Sequence, residues 1–236
     1  MFEDYFSLQL AFSKQYALKA GVTWSEAVDR CTNIRRRLGL TGASGENRWR
    51  ALLACADQSA AGGDDTLLAM CSALFADRPA ARHDRAFGCF SYEPAGASGI
   101  LRLHFVPPEN VEASPLAVAN VGARLDELRA MFRHIRHEEH AVAVLGTSWL
   151  YNIDAYKRLF PARYVESVRI PDFPLHLNGS SSWGQVLNWR QAVKPTMRDS
   201  LLARLSDLRV EAPWEVFPYR ALVANCEIAV FHEHLD

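Results

Sequence analysis

The sequence predicts an α+β fold: a largely antiparallel sheet of about five strands with helices packed on it and an N-terminal helical cap. Three observations carry that prediction. Up to about residue 76 the apolar positions recur with the period of a helix. From Ala86 onward two segments read as strands, separated by the turn chemistry of Pro94 to Ser98. Ala141 to Leu145 is an unbroken apolar run, the signature of a strand covered on both faces, and a short amphipathic helix follows it. Residues 1–80 form the helical part and 81–236 the α+β domain, expected to make one continuous globular unit.

Residues 3–19 carry apolar positions at Phe6, Leu8, Leu10, Phe12 and Tyr16, and Gly21 ends that helix. Thr23-x-x-Glu26 fits a capping box for a second helix, with Arg35, Arg36 and Arg37 in its last turn before Gly39. Asn47 to Ala60 and Thr66 to Phe75 are helical, joined by the Ala61-Gly62-Gly63-Asp64-Asp65 loop. Asp77 to Asp84 marks the boundary to the mixed part. Phe87–Glu93 and Gly99–Val106 make a β-hairpin.

Ser114-Pro115 opens a long helix reaching His140, with a stripe at Val121, Leu125, Leu128, Phe132 and Ile135. The Ala141 strand stops at Gly146. Asn152 caps a helix that Pro161 ends. Tyr164–Ile170 alternates as a strand, Trp183–Trp189 and Pro195–Leu208 are helical, and Tyr219–Phe231 reads as a long central strand.

The chain has 236 residues, 49% of them hydrophobic, enough to bury roughly 70% of its unfolded surface. With 26 Lys plus Arg against 27 Asp plus Glu, no global field recruits nucleic acid or an acidic membrane, although local patches remain open. No apolar run approaches the ~20 residues of a membrane span. The N-terminal residues lack the basic region of a secretory signal. The five cysteines show no CxxC spacing, which argues against a disulfide framework and a zinc knuckle and for a reducing cytoplasm.

Several residue groups invite chemistry. HIRHEEH, residues 134–140, has the composition of a metal site, but a helical wheel turns its first two histidines and Glu138 away from the buried stripe and brings only Glu139 back to it. His232 and His234 share a face if the last strand extends that far, and with His104 they would give an imidazole metal site. A solvated C-terminus is the simpler reading. Ser148 in GTSW lacks the nucleophile-elbow pattern, and no GxGxxG or GxxxxGK[ST] is present, so no cofactor is specified. Cys31, Cys55, Cys71 and Cys89 read as core residues.

What remains is a polar and aromatic set. Arg102 and His104 share one face of a strand. Ser148, Trp149, Tyr151 and Asn152 follow the Ala141 strand, Arg158 lies in the helix after it, Ser181 lies in a later loop, and Trp183 stands where that loop meets the next helix. The leading expectation is a soluble small-molecule enzyme with a pocket at the end of the 141–148 strand. In it His104, Ser148 and Tyr151 are catalytic, and Arg102, Trp149, Asn152, Arg158, Ser181 and Trp183 bind the ligand. Two alternatives stand beside it. One is a non-catalytic binding or protein-interaction module; the other is a metalloenzyme using His104, His232 and His234. A homo-oligomer is compatible with any of the three.

Overall fold

The computed structural model describes residues 2–59, 64–78, 85–108 and 113–236; positions 61–63 of the expected loop and 79–84 of the expected boundary lie outside them. In chain order come α1 (Glu3–Ala20), α2 (Trp24–Cys31), α3 (Ile34–Arg37), α4 (Ala43–Ser59) and α5 (Asp64–Ala76), then β1 (Ala86–Phe87), β2 (Phe90–Glu93) and β3 (Ile100–Phe105). Next are α6 (Val121–Glu138), β4 (Ala143–Ser148), α7 (Asp154–Lys157), α8 (Ala162–Glu166), α9 (Ser180–Trp183), α10 (Pro195–Ala203), β5 (Leu222–Glu227) and α11 (Ile228–Leu235). The fold is α+β, with a five-stranded mixed sheet that is mostly antiparallel.

The chain divides into two compact units. The first joins Met1–Ala81 to Phe173–Arg220 and is helical. Gly21, at φ +66°, closes α1, and the Thr23 hydroxyl accepts the Glu26 amide as the spacing predicts. The expected second helix breaks at Thr32, whose backbone is extended. The break is held by buried polar groups: the Asn33 amide donates to the Gln9 side chain, and the Tyr5 hydroxyl donates to the Asn33 side chain. Of the three arginines that follow, Arg35 pairs with Glu46 and Arg37 donates to Gln191, so they tie the fold together. The core centres on Trp183, fully buried between Phe12 at 5.3 Å and Phe217 at 4.9 Å, with its indole N–H on the Cys31 carbonyl.

The second unit, Arg82–Asp172 with Ala221–Asp236, holds the sheet in the order β1-β2-β3-β4-β5. All neighbours are antiparallel except β3 and β4, which are parallel and joined through α6, as a parallel pair requires a long crossover. Leu101, Leu103, Val144, Gly146 and Ala224 share one sheet face, and the first three and Ala224 pack in a core with Leu128, Phe132, Tyr164 and Phe231.

Several expectations are corrected here. The long helix begins at Val121, after a 3₁₀ turn, and stops at Glu138. Gly146 lies inside β4, not at its end. Asn152 caps no helix; its side chain turns back onto the Trp149 carbonyl at 2.7 Å and closes a 3₁₀ turn. Tyr164–Ile170 is not a strand, because α8 occupies its first half and only Arg169 bridges to Val223. The apparent alternation is too short to set the period, and helical geometry buries Tyr164 completely. The long last strand ends at Glu227. Phe231 and Leu235, four residues apart, are both buried on a helix, with Phe231 stacked on Phe132 at 4.4 Å. That strand is also last in the sheet order, not central.

Candidate functional site

At the carboxyl end of β4 the expected site residues serve the backbone. The Ser148 hydroxyl accepts the Leu150 amide at 3.1 Å, which starts the 3₁₀ turn. Tyr151 is 2% exposed and its hydroxyl lies 2.6 Å from that of Tyr164, with Tyr156 packed beside it at a ring distance of 5.4 Å. Burial pushes the phenols of Tyr151, Tyr156 and Tyr164 up, so all three stay protonated. Trp149 is half-buried and Asn152 exposed. Arg158 donates to the Leu116 carbonyl at 2.6 Å.

Arg102 and His104 lie on the opposite sheet face. The register sets Leu103 beside Gly146, so Ser148, two residues beyond Gly146, points with Leu103 and away from His104. The structure therefore separates the histidine from the serine and the tyrosine. His104 instead stands 3.2 Å from Glu93, with side chains 40% and 54% exposed, and Arg102 is the direct neighbour of Glu93 across the strands.

Ser181 and Trp183 belong to α9 of the first unit, where Trp183 is core and Ser181 is half-buried. His232 and His234 sit on α11, where two residues turn the chain about 200°. The shared strand face expected of them does not form. Among the described residues no group of three His, Cys, Asp or Glu is placed to hold a metal ion. In the HIRHEEH stretch, His134 packs against Phe87 at 5.3 Å and Tyr92 at 6.1 Å, and so does not face solvent as the wheel suggested. Glu139 does turn inward: it is 12% exposed and lies 3.5 Å from both the Tyr92 hydroxyl and Arg85.

A concavity lies in the first unit. It is a cleft of ≈ 390 Å³ between the end of α2, the 175–178 segment and the 210–214 segment. Tyr16, Leu177, Pro213 and Trp214 give it apolar and aromatic walls. Its polar groups are of both signs. Asp29 accepts the Trp49 indole N–H at 2.8 Å and so is fixed in place, Arg30 is paired with Glu26, and Glu211 is paired with Arg209 at 3.3 Å. His176 adds an exposed imidazole. Cys31 lines the cleft as well, but burial pushes its thiol up to about 12, which leaves it a weak nucleophile.

In the sequence Tyr16 and Cys31 read as apolar positions of their helices, and nothing singles out Arg30, His176 or Trp214. Four segments of the chain supply the walls, at Tyr16, 29–31, 175–178 and 210–214, and no local spacing signals their meeting.

No helix among the described residues is long and apolar enough to cross a membrane. No family model, curated protein or solved structure matches this chain.

Proposed function

We propose that the chain binds a small amphiphilic molecule in the cleft of its first unit. The cleft itself supports this most: its ≈ 390 Å³ falls within the ~300–1,000 Å³ usual for small-molecule sites. Tyr16 and Trp214 suit a flat apolar body, and the mixture of Asp29, Arg30 and Glu211 suits a ligand bearing both a cationic and an anionic group. Cys31, held protonated by burial, adds no thiolate nucleophile to the cleft.

Ligand-observed NMR with phenylalanine, phenethylamine and phenylpropionate tests it. The zwitterion is expected to bind best, and Trp214→Ala to weaken it several-fold, the scale of one lost aromatic contact. The proposal fails if none of the three receives saturation from the protein. It also fails if Trp214→Ala and Arg30→Ala leave the transfer unchanged.

A second reading, catalysis on the second unit, rests on the His104–Glu93 pair with Arg102 beside it. His104 would be the acid/base and Glu93 would orient its imidazole. The test is incubation with a metabolite extract. A compound consumed by the native protein and spared by His104→Ala supports catalysis, and identical depletion profiles remove it.

A further inference from the structure

The second unit carries a compact cationic groove. Arg129, Arg133 and Arg136 follow one another by four and three residues on α6, within about 60° around the helix. With Phe132 they line a groove of ≈ 170 Å³ closed by His232, Leu235 and Asp236. Its floor is firm, because Phe132 stacks on Phe231 at 4.4 Å and meets His232 edge-on at 6.1 Å.

The charges in the groove do not balance. Its lining residues set three arginine side chains against the one side-chain carboxylate of Asp236. Arg129 is paired outside the groove with Asp126 at 2.8 Å. Arg133 has no ion pair among the described residues. Arg136 reaches both oxygens of Asp236, at 3.0 and 2.8 Å, so a carboxylate already sits where an external anion would be held.

We infer that this groove is a phosphate-binding site in which the Asp236 carboxylate is the intramolecular occupant that an incoming phosphate group displaces. A tetrahedral dianion matches the site better than a carboxylate does, since it brings two charges and enough oxygens to engage Arg133 and Arg136 together. Phe132 and Leu235 form the apolar floor beneath the arginines, with little surface of their own open to a ligand. The shared chemistry is a phosphate, either free or as a monoester.

Titration by NMR or calorimetry with inorganic phosphate and with phenyl phosphate tests the inference on the full chain. Asp236→Asn removes the competing charge and is expected to tighten phosphate about tenfold. Arg133→Ala is expected to weaken it by a similar factor, and Arg133→Lys to restore part of the loss. Both positions are at the surface, and circular dichroism checks that the variants stay folded. Tighter phenyl phosphate than phosphate identifies a monoester as the ligand class, and equal affinity identifies the free ion. The inference is overturned if neither the native protein nor Asp236→Asn binds either probe at millimolar concentration, or if all variants bind alike. Binding of a DNA duplex without binding of phenyl phosphate also overturns it.

Discussion

The hydroxyl oxygens of Tyr151 and Tyr164 meet 2.6 Å apart against the one residue of β4 that has no side chain, Gly146. A Cβ at that position would lie 1.9 Å from the Tyr151 oxygen and 2.4 Å from the Tyr164 oxygen. Both rings are buried, at 2% and 0% exposure, so neither has open space to move into.

Gly146→Ala is therefore expected to destabilise the protein by about 1–3 kcal/mol through overpacking. Tyr151→Phe removes the nearer oxygen, and added to Gly146→Ala it should recover part of that loss, a coupling that a double-mutant cycle in urea measures. An alanine variant as stable as the native protein would show that the packing yields.

Glu127 fixes the tight turn between β1 and β2. Its carboxylate accepts the Cys89 amide at 3.0 Å and is gripped by Arg124, with both side chains under 20% exposed. Glu127→Ala should cost roughly 2 kcal/mol, since an amide acceptor and the partner of a largely buried arginine both vanish. Gly88→Ala should also destabilise, because Gly88 has φ +61° and its Cβ would fall 2.0 Å from the Glu127 carboxyl carbon. Urea midpoints check both.

Burial pushes the thiols of Cys31 and Cys71 up to about 12, and those of Cys89 and Cys226 to about 11. With iodoacetamide at neutral pH, Cys31 and Cys71 should stay unmodified in the folded protein and react once urea unfolds it. Peptide mass spectrometry locates the label, and modification of either at the rate of a free thiol would contradict their burial.

The same groups set an alkaline limit. An acid whose pKa is raised by folding keeps its proton longer in the native state, so the unfolded chain releases protons first and stability falls as pH rises. The decline should begin near the ordinary thiol value of 9.0 and continue through the phenol range near 10.0, since Tyr151, Tyr156 and Tyr164 are raised too. Thermal midpoints from neutral pH upward measure it, and a flat profile through pH 9–10 would refute it.

His104 and Glu93 are 40% and 54% exposed, which places their pair among those worth ~0–1 kcal/mol. His104→Ala should leave unfolding nearly unchanged and leave phenylalanine binding intact. A large loss of stability would mean that the imidazole supports the fold.

Local features of this chain are legible where one residue's chemistry decides the matter. Gly21 can adopt the left-handed conformation, Thr23 can cap, and Pro94 to Ser98 can turn, and each does so where its sequence says. Glu139 turns inward as the helical wheel predicts, yet by another route: it lies just past the end of α6 with an extended backbone, φ −127° and ψ 144°. The candidate site was less legible. Polar residues after a strand can serve a ligand or the backbone, and in Ser148, Asn152 and Arg158 the hydrogen bonds go to the backbone.

Composition and periodicity by themselves determined an α+β chain with a helical beginning, a β-hairpin and a strand overlapping residues 141–145, because such patterns depend on neighbours within one or two turns. That strand, expected to be covered on both faces, starts at Ala143 and is fully buried only at Val144 and Gly146, with Val142 65% exposed. Only the tertiary structure decided that a glycine inside β4 makes room for two phenols, that Phe231 and Leu235 belong to a helix, and that residues 175–178 and 210–214 meet the end of α2 around a cleft. Those outcomes depend on which distant surfaces exclude water together, and burial of that kind leaves no spacing in the sequence to read.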